Sequence, residues 1–87
     1  MKTFLLNISS PDGKIFSGQV VSIILRGVEG EFAVLADHIP FITNVCPGKC
    51  IVELEDGTVK DGQTEGGMIT VGKEETTFLT AGVTFAE

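Results

Sequence analysis

The run KIFSGQVVSIILRG, residues 14–27, decides the fold. It is rich in Val, Ile and Phe and carries no apolar stripe at helical spacing, so it reads as one long strand. Gly18 stands in its middle, where a bulge or a bend would let a single strand serve two sheets. The run stops at Gly27. Before it, Phe4, Leu6 and Ile8 alternate with Leu5, Asn7 and Ser9 up to the cluster SSPDG, residues 9–13, which predicts strand, turn, strand.

Downstream the same texture continues. EFAVLA, residues 31–36, and PFITNV, residues 40–45, read as short strands. KCIVELEDGTVKDG, residues 49–62, reads as a hairpin whose Asp56-Gly57 pair signals a type I′ turn. GGMITVGKEETTFLTAGV, residues 66–83, gives two strands around a polar turn at Lys73 to Glu75. No window has the pattern of an amphipathic helix. The expectation is an all-β protein, a two-sheet β-sandwich of roughly eight to ten short strands without substantial helix. With no fixed-period repeat and no linker composition, residues 1–87 form one domain.

Composition bounds what such a domain can do. A chain of 87 residues buries only roughly 60–65% of the surface its unfolded form exposes, which leaves little room for both a core and a deep pocket. Apolar residues make up 43% and charged residues 21%, a globular balance, and no apolar run approaches a membrane span. The N-terminal MKTFLLNISS alternates and meets polar residues early, unlike a secretory leader, so the Asn7-Ile8-Ser9 sequon carries no weight. The net charge is −6, with eleven of the twelve acids after residue 28. Neither nucleic acid nor an anionic membrane surface suits that balance, because both need clustered Lys and Arg.

Motifs with catalytic chemistry are weak here. Gly67, Gly72 and Lys73 match the core of a phosphate-binding loop, but Glu74 replaces the hydroxyl residue and would repel phosphate, so no nucleotide site is expected. Asp37 and His38 are adjacent, and on a strand they would point to opposite faces; no nucleophile can be assigned beside them. Cys46 and Cys50, in CPGKC, lack further metal ligands and read as thiols flanking a turn between strands. No catalytic residue, metal or cofactor is expected. Glu29 and Glu31 flank Gly30 with period-two spacing, so on an extended tip both would emerge on one side and offer contact to a basic partner.

Taken in order, these segments resemble one family. Phe16-Ser17-Gly18-Gln19-Val20, Gly27-Val28-Glu29-Gly30-Glu31, Leu35-Ala36-Asp37-His38-Ile39-Pro40, Cys46-Pro47-Gly48-Lys49 and Gly66-Gly67-Met68-Ile69-Thr70-Val71 follow the pattern of the N-terminal β-sandwich domain of the epsilon subunit of F-type ATP synthase, named delta in mitochondria. The resemblance runs in register along nearly the whole chain. It implies a non-catalytic rotor subunit of the central stalk, joining gamma to the ring of c subunits and coupling ion translocation, of protons or sodium, to ATP synthesis. It implies that Val28, Glu29, Gly30 and Glu31 meet the c ring, and that Ser10, His38, Ile42 and Thr43 face gamma. The implied location is peripheral, at the cytoplasmic face of the cell membrane, with no insertion into the bilayer and no small-molecule substrate. The alternative is a free-standing β-sandwich that binds a ligand or protein through the His38 loop.

Three departures from the family pattern carry expectations of their own. Ala36-Asp37 stands where the family usually has Pro-Gly, which changes the loop and adds a charge. The usually apolar strand before Gly-Gly is here Lys60-Asp61-Gly62-Gln63-Thr64-Glu65, expected to be an exposed edge, irregular, or covered by a partner, with Phe78 and Leu79 supplying core instead. The family's C-terminal helical hairpin has no counterpart before Glu87, in a naturally short form or a truncated chain, so the hairpin's functions are not carried over.

Overall fold

The computed structural model describes residues 2–85; Met1, Ala86 and Glu87, the outermost residues of the expected 1–87 domain, lie outside the described residues. Nine strands follow in chain order among them: β1 (Phe4–Ser10), β2 (Gly13–Gly27), β3 (Gly30–Leu35), β4 (Phe41–Val45), β5 (Gly48–Leu54), β6 (Val59–Thr64), β7 (Gly67–Val71), β8 (Glu75–Thr80) and β9 (Val83–Phe85). The expected all-β sandwich is what forms, with the strand count inside the expected range.

β2 is the spine shared by both sheets. Its first half, Gly13–Val20, pairs antiparallel with β1, and its second half pairs with β5 over Val20–Leu25 and with β3 over Ser22–Gly27. At Val20 the strand holds Phe4 on one edge and Leu54 on the other. β3 therefore continues along the edge that β1 leaves. One layer runs β4-β7-β8-β1-β2 and the other β3-β2-β5-β6-β9; β1 and β8 are parallel, and the other pairs are antiparallel.

Two bulges bend this spine, and neither is at Gly18. Ile8 faces Phe16 while Ser9 faces Lys14, leaving Ile15 as the extra residue; Val20 faces Leu54 while Ser22 faces Glu53, leaving Val21 extra. Val20 and Val21 are consecutively buried, which regular alternation forbids and a bulge allows. Gly18 sits in regular register opposite Leu6, where the Phe16 ring lies 3.5 Å from the position a Cβ would take.

The inward faces of both layers fill one core: Leu6, Ile8, Val20, Ile23, Leu25, Val34, Cys50, Val52, Ile69 and Phe78 are almost wholly buried. Phe78 is core as expected, but Leu79 is 54% exposed, because adjacent strand residues point to opposite faces. Burial pushes the Cys50 thiol up to about 11. Cys46 and Cys50 are both free thiols, one just beyond β4 and one inside β5.

Two further expectations change. The Asp56-Gly57 loop is not type I′, which needs positive φ at both central residues; Gly57 alone has it (φ 91°). Gly57 N donates to Leu54 O at 3.0 Å, Leu54 N to Thr58 O at 2.7 Å, and Thr58 N to Asp56 Oδ1 at 2.9 Å. This is a three-residue loop in which a turn is followed by a left-handed glycine. Segment 60–65 forms regular strand through Thr64, paired with β5 throughout and with β9 over Gly62–Thr64. β9 covers it there, since side-chain-free Gly62 admits Phe85 and Thr84 within 2.7 Å of where a Cβ would be.

Below Gly62 the layers are tied by a polar corner. Thr80 Oγ1 donates to Gly66 O at 2.6 Å and accepts from Gly82 N at 3.2 Å, while Thr64 Oγ1 accepts from Gly66 N at 3.1 Å and lies 3.0 Å from Thr80 Oγ1. Thr64 and Thr80 are both buried, and their hydroxyls supply partners that the turning backbone would otherwise lack.

Candidate functional site

The residues singled out in the sequence gather mostly at one end of the sandwich. Gly27 faces Gly30 across the β2–β3 hairpin, so Val28 and Glu29 are the two corner residues of a tight turn rather than part of an extended tip. Val28 is 81% exposed. Glu31 belongs to β3, and its carboxylate pairs with Lys49 Nζ of β5 at 3.3 Å; Glu29 has no ion pair among the described residues. The two acids are thus unequal, one free at the apex and one half neutralised.

The β3–β4 loop is built around Asp37, the only non-glycine with positive φ (69°) among the described residues. His38 N donates to Leu35 O at 3.2 Å, closing a turn whose third position needs the left-handed region. Glycine is the usual occupant, and Asp is among the few residues that tolerate it. Asp37, where the resemblance led to an expectation of a changed loop, adopts the conformation that glycine usually supplies. Lys2 Nζ meets Asp37 Oδ2 at 2.7 Å, across the junction where β1 and β3 meet end to end. The Asp37 hydrogen bond, and then its charge, raises the Lys2 pKa. Both side chains are largely exposed, so this contact guides the loop more than it stabilises the fold.

Beyond that turn, His38 Nδ1 lies 2.8 Å from Ile39 O, and its ring rests on Phe41 with centroids 4.9 Å apart. Phe41 in turn meets Phe32 edge to face at 6.3 Å. A groove of about 340 Å³ runs between the hairpin tip and this aromatic row, lined by Val28, Glu29, Glu31, Phe32, His38 and Phe41 among others. Thr43 also lines it. Two residues assigned toward one partner, His38 and Thr43, therefore share a groove with the four assigned toward the other. Phe32 and Phe41 were not singled out as site residues, and Lys49 only as part of a turn motif. The apolar run around His38 was the available signal for Phe41.

Ile42 and Ser10 lie elsewhere. Ile42, 65% exposed, points to the opposite face of β4 from Thr43. Met68 and Leu79 are exposed and sit opposite each other on β7 and β8, so Ile42, Met68 and Leu79 place apolar surface on the outer face of the β4-β7-β8 layer. Ser10 ends β1 at a separate cleft of about 660 Å³ shared with Pro11, Gly66, Gly67 and Leu79. No three His, Cys, Asp or Glu side chains come together as metal ligands among the described residues.

A small sandwich offering a polar hairpin tip, an ordered aromatic loop and an apolar outer sheet face is an interaction domain. The chain belongs to the delta/epsilon chain family of ATP synthase, whose β-sandwich domain matches residues 3–86. It is 39% identical over 79 residues to the "ATP synthase epsilon chain, sodium ion specific" of Acetobacterium woodii, covering 91% of this chain and 59% of that one. It is 37% identical over 82 residues to the ATP synthase epsilon chain of a Nitratiruptor species, covering 94% and 64%. The chain thus spans roughly three fifths of these relatives' length. Among solved structures, a chain of the Euglena gracilis mitochondrial ATP synthase, described as OSCP/F1/c-ring, superposes with a TM-score of 0.89 at 27% identity, covering 95% of this chain and 53% of that one. A chain from the central stalk and c-ring of the Tetrahymena thermophila enzyme shares the fold, with a TM-score of 0.78 at 12% identity over 95% of this chain and 66% of that one.

Proposed function

We propose that the protein is a non-catalytic rotor component of the central stalk of an F-type ATP synthase, joining gamma to the c ring and coupling ion flow to ATP synthesis. The observation that carries this reading is the family match over residues 3–86, seconded by the 0.89 superposition on a chain of an F1/c-ring assembly. The protein would then be peripheral to the membrane, at its cytoplasmic face, with gamma and the c ring as partners.

The geometry suggests how the contacts divide. Val28 to Glu31 form a protruding turn with one unpaired acid, suited to the polar or basic loops of a ring. Ile42, with Met68 and Leu79 beside it, gives a flat and partly apolar face suited to the broader gamma surface. His38 and Thr43, in the groove between, and Ser10, at the end of β1, would then flank gamma.

The test is copurification of tagged chain with gamma and c subunits from the native membrane, followed by Glu29→Lys with Glu31→Lys in reconstituted enzyme. The expected result is a one-to-one complex with gamma, and weakened ring attachment or coupled synthesis in the double variant while hydrolysis by the soluble catalytic hexamer is unchanged. Unaltered coupling would remove the acidic contact from this picture. Failure to bind gamma, together with a small ligand that raises the melting temperature, would replace it with a free-standing binding module.

A further inference from the structure

The chain has three Asp–Gly steps: Asp12–Gly13, Asp56–Gly57 and Asp61–Gly62. At such a step the glycine nitrogen can attack the aspartate side-chain carbonyl carbon. A C–N bond forms, the carboxyl hydroxyl leaves as water with the amide proton, and a cyclic imide results. Water reopens the ring, and opening at the main-chain carbonyl leaves isoaspartate, whose backbone is longer by one methylene. Nothing but water is exchanged. Ring closure needs a carboxyl that can be protonated, so that its hydroxyl departs as water, and a backbone free to carry the glycine nitrogen onto the side chain.

The fold sorts these chemically equal steps. Gly62 lies in mid-strand, paired with Cys50 on one side and Phe85 on the other, with Phe85 and Thr84 atoms 2.7 Å from where its Cβ would stand. Its nitrogen cannot swing toward Asp61 without opening both pairings. In the β5–β6 loop both reacting groups are engaged: Gly57 N donates to Leu54 O at 3.0 Å, and Asp56 Oδ1 accepts from Thr58 N at 2.9 Å. Hydrogen bonding to Thr58, through its side chain first and its backbone N–H second, lowers the Asp56 pKa, which keeps the carboxyl ionised and without the hydroxyl that leaves as water.

Although Gly13 is paired with Ser10 and its O accepts from Ser10 Oγ at 3.3 Å, Asp12 differs in its carboxyl and in its place in the fold. It is exposed, and its carboxylate accepts no hydrogen bond among the described residues; only its N–H is used, donating to Ser10 Oγ at 3.2 Å. Gly13 has positive φ (132°) and open space where a Cβ would stand. It opens the half of β2 that is paired on one side only, with β1. Hairpin ends of this kind open locally at low free energy.

We propose that Asp12–Gly13 is the site at which the folded chain forms isoaspartate, the other two Asp–Gly steps being protected by the fold. The extra methylene would fall in the two-residue turn that closes Ser10 against Gly13, beside the cleft lined by Ser9, Ser10 and Pro11.

The test incubates the full chain at mildly acidic pH, natively and in denaturant, and locates isoaspartate in its peptides by electron-transfer fragmentation. Natively, residue 12 should hold several-fold more isoaspartate than residues 56 and 61, and in denaturant the three should converge. Asp12→Glu, whose imide ring is larger and closes far more slowly, should remove most of the native signal. Equal proportions in the native and denatured samples would overturn the proposal. So would a native signal led by residue 56 or 61, or one that survives Asp12→Glu.

Discussion

Gly30 and Gly67 make the same demand on the backbone and meet opposite surroundings. Both have positive φ, 127° and 156°. At Gly30, beside the hairpin tip, a Cβ would touch nothing within 4 Å; at Gly67, on the exposed side of the polar corner, it would fall 1.9 Å from Leu79 O. Only the dihedral restricts the first position, whereas dihedral and packing together restrict the second. The molecule thus concentrates its intolerance at the corner that locks the two layers. The end proposed to meet partners is left energetically permissive.

The largest expected effect breaks the corner. Gly67→Ala combines backbone strain of about 1–3 kcal/mol with overpacking against main-chain atoms that cannot move aside, about another 1–3 kcal/mol or more. For a domain this small that is enough to abolish folding, seen as loss of the cooperative thermal transition. Gly30→Ala adds only the strain, so it should remain folded with a measurable shift in denaturant midpoint. Equal losses at the two positions would show that packing at the corner contributes nothing beyond the dihedral.

A smaller effect tests the corner's polar half. Thr80→Val keeps the shape but leaves Gly66 O and Gly82 N without their 2.6 and 3.2 Å partner, an expected loss of about 1–3 kcal/mol in urea unfolding. At the tip, Glu29→Lys breaks no ion pair or side-chain hydrogen bond among the described residues and should change stability by less than about 0.5 kcal/mol. Glu31→Lys breaks the Lys49 pair and sets like charges together, for up to about 1 kcal/mol. A stability loss at Glu29 as large as that at Glu31 would contradict the unequal roles of the two acids.

The same contrast explains what could be read from the sequence. The corner announces itself as Gly66-Gly67, and the SSPDG turn, the alternation in β1 and the unbroken β-rich run of β2 specify most of the sandwich. The bulges at Ile15 and Val21 escaped because a bulge needs no glycine, and a run dense in apolar residues satisfies several registers equally well. Segment 60–65 was left between an exposed edge, an irregular stretch and a covered strand because its cover, β9, spans three of the described residues and is recognised only by the gap that Gly62 leaves for Phe85. At the tip the candidate residues were legible as types. Their grouping was not: the pairing of Glu31 with Lys49, and the shared groove of His38 and Glu29, depend on strand register across three elements.

At Asp37 the differences to be resolved are finer, and three substitutions separate backbone from charge. Asn tolerates the left-handed region about as Asp does, so Asp37→Asn removes only the Lys2 pair and should cost about 0–1 kcal/mol, as an exposed ion pair does. Ala loses the pair and also the local tolerance, so Asp37→Ala should cost about 1–2 kcal/mol more. Gly loses the same Lys2 pair, and it removes the strain while loosening the unfolded chain, two opposed changes each near 1 kcal/mol or below, so Asp37→Gly should lie close to Asp37→Asn. The expected order of denaturant midpoints is therefore the parent highest, Gly and Asn together below it, then Ala, with Lys2→Met lowering the midpoint of the parent but not that of Asp37→Asn. If Asn proves as damaging as Ala, the charge rather than the φ of 69° governs the loop. The glycine-like conformation would then be a consequence of the Lys2 contact instead of its precondition.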